Sequence, residues 1–425
     1  MKYDKIESAL FENNRTKFIN ELKPNTLAVF NSNDILPTNA DGTMPFKQNS
    51  DLFWLSGIDQ EESVLLLFPN SNEDSMLFLK ETDDHIAVWE GNKLTKEIAK
   101  EISGIKNIFW LADLGKKLDE LIPKCSAIYL NKNMHSRATN SVETRDDRFR
   151  NSIKNNYQIT ILESALIMHN FRSIKSKTEI KLLQKACDIT HKGIERILPI
   201  IKPGIMEYEI EAELIYEFIR NKSNGFAYQP IIGSGANSCV LHYISNNNEC
   251  KDGDILLMDF GAEYANYCSD LTRTIPVNGK FNDRQKAVYE SVLYVMKEAT
   301  KMLCPGTTFK EYNKEVGRMM ELELIKLGLL EKVDVKNQDP KNPLYKKYFM
   351  HGTSHYLGLD VHDVGSFDVP MKEGMVFTCE PGIYIREEKL GVRLENDILV
   401  TSTAPLDLMK DIPIEIEEIE ELMNV

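Results

Sequence analysis

Apolar residues gather in short runs that suit β-strands, separated by longer stretches of helical character. In the first part of the chain, Thr26-Leu27-Ala28-Val29-Phe30, Ser63-Val64-Leu65-Leu66-Leu67-Phe68 and Ala127-Ile128-Tyr129-Leu130 read as strands set among helices, the texture of an α/β domain. A polar stretch, Arg145-Asp146-Asp147-Arg148-Phe149-Arg150-Asn151, is followed by Ser176-Lys177-Thr178-Glu179, where Ser or Thr ahead of Glu resembles a helix start. The boundary is therefore expected near residues 165–175, giving domains 1–168 and 169–425.

Beyond that boundary the pattern repeats. A helical stretch from Gln184-Lys185-Ala186 to Lys202-Pro203-Gly204 is echoed by one from Gln285-Lys286-Ala287 to Cys304-Pro305-Gly306. Each Pro-Gly stop precedes a second amphipathic helix, Tyr208 to Arg220 and Phe309 to Leu327. Ile255-Leu256-Leu257-Met258 ends in Asp259, and Met375-Val376-Phe377-Thr378-Cys379 ends in Glu380. Gly253 and Gly374 precede these acids at one interval, and Gly261 and Gly382 follow them at another. His242 in Val240-Leu241-His242 is matched by His362 in Asp360-Val361-His362. Two similar halves facing each other would set their acids around a shared axis.

Composition narrows the function. With 425 residues and 42% hydrophobic content the chain can bury a sizeable core, and its formal charge of −14 argues against binding nucleic acid or anionic membrane. Seven cysteines without close pairs read as neither a disulfide framework nor a zinc ribbon. No apolar run is long enough to span a bilayer, and the first residues carry no signal-like core. A cytoplasmic location is expected.

Five residues carry the candidate chemistry: Asp259, Asp270, His355, Glu380 and Glu395. Four carboxylates and one imidazole bring enough negative charge to neutralise two divalent cations. An isolated Asp at a strand end is usually a turn or cap residue, so the joint placement carries the argument. Asp270 lies in Cys268-Ser269-Asp270-Leu271-Thr272-Arg273-Thr274, and Glu395 in Val392-Arg393-Leu394-Glu395-Asn396-Asp397-Ile398-Leu399-Val400. Alternation in the latter, read as one strand, puts Arg393, Glu395 and Asp397 on one face. Gly352 and Gly358 place His351 and His355 on a loop or strand rather than a helix. Oxygen-rich sites with one imidazole favour hard ions such as Mn²⁺ over thiolate-seeking metals, and leave Zn²⁺ and Co²⁺ open.

The segment His351-Gly352-Thr353-Ser354-His355-Tyr356-Leu357-Gly358-Leu359-Asp360-Val361-His362-Asp363-Val364-Gly365 resembles the signature of aminopeptidase P, the Xaa-Pro aminopeptidases of the pita-bread metallopeptidases. The resemblance continues through Gly233-Ser234-Gly235-Ala236-Asn237, Met258-Asp259-Phe260-Gly261, Ser269-Asp270-Leu271-Thr272-Arg273-Thr274, Glu380-Pro381-Gly382-Ile383-Tyr384 and Arg393-Leu394-Glu395-Asn396-Asp397. In the N-terminal domain, Asp51-Leu52-Phe53-Trp54-Leu55-Ser56-Gly57 resembles the strand that follows the family's first helix. The resemblance implies an α/β (α+β) architecture: an N-terminal α/β domain and a C-terminal pita-bread domain with a pseudo-two-fold repeat.

It also implies roles. Asp259 and Asp270 would ligate one metal; Asp270, Glu380 and Glu395 would help bridge to a second, held by His355. A hydroxide bridging the two ions would attack the bond before proline, with Glu380 relaying the proton and His362 and His242 assisting. His242, His351, His362, Arg393 and Tyr384 would receive the substrate, and Trp89 would reach the site of a neighbouring subunit in a homodimer or homotetramer. Substrates would be peptides with proline at the second position. The segment Ile385–Val392 is shorter than in many relatives, which bears on how longer peptides are held. Prolidase, which cuts only Xaa-Pro dipeptides, is the nearest rival reading, and a non-catalytic pita-bread binding protein is a rival of another class.

Overall fold

The buried run Thr26–Asn31 forms strand β1, at the heart of a sheet in the computed structural model, which describes residues 2–69, 74–135, 137–138 and 141–424. The chain's first and last residues, which bound the two expected domains, lie outside the described residues. The chain divides into two compact units, one running to Arg172 and one beginning at Ser173.

In the first unit β1 pairs antiparallel with β2 (Val64–Leu67) and parallel with β5 (Ala127–Leu130). With β3 (Ser75–Leu79), β4 (Asn107–Trp110) and β6 (Thr160–Glu163) the order is β4-β3-β2-β1-β5-β6. Leu27, Val29, Val64, Leu66, Met76 and Ile128 are buried on it. The three strands expected from apolar runs are β1, β2 and β5. The segment Asp51–Gly57 differs from expectation: Ser50–Ser56 is a helix, not a strand. Asn49 caps it by accepting from the N–H groups of Asp51 and Leu52 at 3.0 and 3.1 Å, and Gly57 ends it at φ 68°.

The second unit is built twice over. Helix α1 (Lys177–Ile197) opens with the expected box, Ser176 and Glu179 each bonding the other's backbone N–H, and packs on α2 (Glu207–Arg220). Helix α3 (Asp283–Lys301), boxed by Asn282 and Gln285, packs on α4 (Phe309–Lys326). The Pro-Gly stops match in detail. Gly204 (φ 95°) donates to the Cys250 carbonyl while the Cys250 N–H donates to Ile205; Gly306 (φ 93°) donates to Met371 while Met371 donates to Thr307. Each of these turns clamps the segment that leads into an acid-bearing strand.

Those strands are β9 (Ile255–Phe260) and β13 (Val376–Cys379), numbered after β7 (Gly225–Phe226) and β8 (Ile231–Ser234). Next to β9 come β10 (Ala262–Tyr264), β11 (Tyr267–Cys268) and β12 (Leu271–Pro276). After β13 follow β14 (Gly382–Ile385), β15 (Leu390–Arg393), β16 (Asn396–Leu399) and β17 (Leu406–Asp407). An isolated bridge, Thr272 to Glu395, links β12 of the sheet β12-β9-β8 to the residue just ahead of β16 in the sheet β13-β16-β17. The strand expected across 392–400 is in fact two, β15 and β16, broken at Leu394–Glu395. Opposite the break lie Glu380 and Pro381, because Gly382 pairs with Arg393 and Cys379 with Asn396. Pro381 has no N–H to continue a ladder, so the hairpin is interrupted there while both sides keep one register.

Candidate metal centre

The double break brings two acids to the seam. Freed from ladder pairing, the Glu380 N–H donates to the Thr353 carbonyl at 2.8 Å, and the Glu395 N–H to Thr272 at 3.1 Å. Asp259 stands on β9 opposite Thr272, and Asp270 stands just ahead of β12. Close approach makes that turn possible, since a Cβ on Gly261 would lie 1.8 Å from the Ser269 carbonyl oxygen. Arg393, Glu395 and Asp397 do share a direction across the break. Asp397 accepts from the Asp270 N–H at 3.0 Å, and both other side chains bond the Thr272 hydroxyl.

His355 arrives on a loop that runs beside β13, tied by Thr378 N–H to the His355 carbonyl and Leu357 N–H to Val376. Its Nδ1 lies 3.0 Å from the Tyr356 carbonyl, which can only accept, so Nδ1 carries the proton and Nε2 presents a lone pair. Nε2 lies 3.5 Å from Asp270 and 3.7 Å from Glu380. Ligand atoms of Asp270, His355 and Glu395 all fall within 4.8 Å of one another.

A hydrogen-bonded series borders the acids. Arg393 donates to Asp259 through Nη2 and to the Tyr384 hydroxyl through Nη1 at 2.9 Å, and that hydroxyl lies 2.8 Å from His351 Nε2. His351 Nδ1 lies 2.8 Å from the Gly352 carbonyl and 3.6 Å from Glu380. The ring of His362 meets His355 edge-on, centroids 4.3 Å apart. His242 is not drawn into these contacts. It stands exposed on the loop after the turn Gly235–Cys239, a loop pinned by buried Glu207, which accepts from Ser234, Tyr243 and Asn248. Trp89 lies in the first unit at the end of helix Asp84–Trp89 and is 75% exposed.

Two hydroxyl residues of the site were not singled out from the sequence. Tyr228 bonds both Asp259 and Asp270, and Thr272 donates to Glu395 Oε2 at 2.7 Å while accepting from Arg393 Nε at 3.1 Å. Tyr228 lies between β7 and β8 with no motif to mark it.

Electrostatics describe a site short of positive charge. Burial first, then the neighbouring carboxylates, hold Asp270 and Glu395 well above the usual carboxylate range. Burial lifts Glu380 to about 7, against the pull of His355 and Arg393. Burial opposes the charge on Arg393, yet Tyr384, Asp259 and Glu395 outweigh it and raise its value. Glu395 Oε1 is buried without a hydrogen-bond partner. Clustered carboxylate oxygens, a lone-pair nitrogen and an orphaned acceptor suit divalent cations with hard-donor preference.

Fold and site together define a metallohydrolase. Residues 181–402 match the family described as metallopeptidase family M24, and residues 11–129 match the aminopeptidase P N-terminal domain. The chain is 34% identical to an Xaa-Pro aminopeptidase of Escherichia coli over 97% of each chain, and 34% identical to one of Haemophilus influenzae over 99% of this chain and 98% of that one. A structure of aminopeptidase P from E. coli with the inhibitor Pro-Leu superposes with a TM-score of 0.89 at 32% identity, covering 99% of each chain. The chain belongs to metallopeptidase family M24. As such it is a hydrolase that works with divalent metal ions. All seven cysteines are free, and among the described residues no helix is long and apolar enough to cross a membrane.

Proposed function

We propose that this chain is an Xaa-Pro aminopeptidase, releasing a single N-terminal residue from peptides whose second residue is proline. The observation that carries it is the series Asp259–Arg393–Tyr384–His351, which sets an imidazole, backed edge-on by Phe349 at 4.9 Å, beside Glu380. A proline ring offers no N–H and must be recognised by shape, and an aromatic and imidazole wall does that.

Asp259, Asp270, His355, Glu380 and Glu395 would hold two divalent ions, Mn²⁺ by preference, with Zn²⁺ or Co²⁺ as alternatives. When bound, such a pair supplies Lewis acidity and an acidified water, as two-metal sites in aminopeptidases generally do. Glu380 takes the proton of the attacking water on a carboxylate oxygen and passes it to the departing proline nitrogen. His362 donates to the scissile carbonyl as negative charge develops there. Asp259 receives the free α-amine, which limits cleavage to one residue. His351, Tyr384 and Arg393 line the proline pocket, and His242 meets the peptide from its exposed loop.

Exposed Trp89 supports a homodimer or homotetramer in which it reaches a neighbouring subunit's site. The acidic charge argues against nucleic-acid and anionic-membrane partners, and the free, scattered cysteines support a reducing, cytoplasmic compartment. Relatives named as Xaa-Pro aminopeptidases favour this reading over prolidase. Turnover of an Xaa-Pro-Xaa tripeptide and an Xaa-Pro dipeptide, after each metal is restored to metal-free protein, tests it. Cleavage of the dipeptide alone would make the chain a prolidase, and cleavage of neither would remove the proposal.

A further inference from the structure

Outside the acids, a buried ion pair stands directly behind the histidine loop. Lys175 Nζ lies 3.0 Å from Asp363 Oδ2, and both side chains are 1% exposed. An ion pair taken so completely out of water is a costly way to hold a fold together, because desolvation offsets much of the attraction. Its placement points to another use. Asp363 follows His362 in sequence, and the Asp363 N–H donates to the Tyr356 carbonyl at 2.9 Å. That same carbonyl accepts from His355 Nδ1 at 3.0 Å. One oxygen therefore sets the candidate ligand His355 and the residue beside His362 together, and the rings of the two histidines meet 4.3 Å apart.

The pair is fixed from both sides. The Lys175 N–H donates to the Gly374 carbonyl at 2.8 Å, and Ser176 next to it caps α1. Gly358 gives the lysine and the aspartate room, since a Cβ there would lie 2.1 Å from Asp363 Oδ2 and 2.9 Å from Lys175 Cε. The Gly358 carbonyl in turn accepts from the Cys268 N–H at 2.8 Å, two residues before Asp270.

We infer that Lys175 is a positioning residue: by pinning Asp363 it fixes the direction in which His362 presents its imidazole to the scissile carbonyl. The inference rests on the role given to His362 above. A misplacement of a donor by a fraction of an ångström lowers turnover more than binding, so the effect belongs in kcat.

The test is a cycle of variants in the full chain, assayed on an Xaa-Pro-Xaa tripeptide with Mn²⁺ restored. Lys175→Met combined with Asp363→Asn removes both charges without stranding either. This pair is expected to bind metal at the parent's stoichiometry and to lose about 10- to 100-fold in kcat, with KM changed less than about threefold. In a His362→Ala background the same pair is expected to cost less than about threefold further, because its target is gone. Equal losses in both backgrounds, or parental kcat in the pair, would overturn the inference. Should the pair fail to fold, Asp363→Asn alone enters the same cycle. Failure of both to yield metal-replete protein would mean that the ion pair serves the fold at large, and would equally overturn it. Parental turnover in His362→Ala is a separate result: it removes the role of His362 itself, and this inference with it.

Discussion

Thr272 holds Glu395 twice: its carbonyl accepts the Glu395 N–H at 3.1 Å and its hydroxyl donates to Glu395 Oε2 at 2.7 Å. A residue of the first half thereby orients an acid of the second. Thr272→Val keeps the shape and removes the hydroxyl, leaving Glu395 and Arg393 Nε each short of a partner. Stability should fall by about 1–3 kcal/mol, and metal affinity by about 10- to 100-fold. Thermal unfolding and metal titration of the variant measure both, and unchanged affinity would show that this hydroxyl does not orient the acid.

Tyr228 spans the two acids of the first half, its hydroxyl bonding Asp259 and Asp270. Burial and those carboxylates hold its own hydroxyl protonated far above neutral pH, so it acts as a donor throughout the working range. Tyr228→Phe should fold normally and lose about 10- to 100-fold in kcat/KM, with weaker metal retention during dialysis. Parental activity at limiting metal would count against its role.

Metal binding should release protons. An acid whose value is raised keeps its proton to higher pH, and the metal-free site raises Glu380 to about 7, with Asp270 and Glu395 raised by burial and mutual repulsion. Cations must displace those protons, so affinity should increase as pH rises through about 7. Calorimetric titration at about pH 6.5 in buffers of differing ionisation enthalpy reads the release directly. Binding with no proton exchange would contradict the electrostatic description of the site.

Asp146 makes a separate prediction in the first unit. Burial raises it from 3.8 to about 6, with the Asn31 amide donating to it at 2.8 Å. Its folded value exceeds its unfolded one, so between these values the folded form holds the proton more tightly. Stability contributed by the protonated group is complete below 3.8 and is lost as pH rises through about 6. The loss reaches at most about 3 kcal/mol. Asp146→Asn cannot ionise and still accepts from Asn31. It should be more stable than the parent by about 1–3 kcal/mol at about pH 7.5, with the gap closing towards about pH 4 in denaturant titrations. A variant less stable than the parent at neutral pH would refute this.

What the sequence revealed follows from how each feature is encoded. β1, β2 and β5 were legible because a buried strand needs only a continuous apolar run between polar breaks. Asp51–Gly57 was read as a strand from the resemblance alone, whereas the deciding local information lay in the Asn49 cap and the Gly57 stop. The repeat was legible because each half respells the same turn, and the turns clamp matching segments. The break between β15 and β16 was hidden, since the register, and with it the alternation of facing, is the same on both sides of it. Tyr228 and Thr272 were hidden for another reason. A hydroxyl that serves an acid 31 or 123 residues away leaves no local pattern.

That long reach bears on the order of folding. Asp270 is seated by Asp397 across 127 positions, and Glu395 by Thr272 across 123. Closing such loops is slow and comes after the local helices have formed, so the acids can converge only once both halves have docked. The ions then bind a finished second unit and stabilise it by mass action, as a latch on the native state rather than a seed for it.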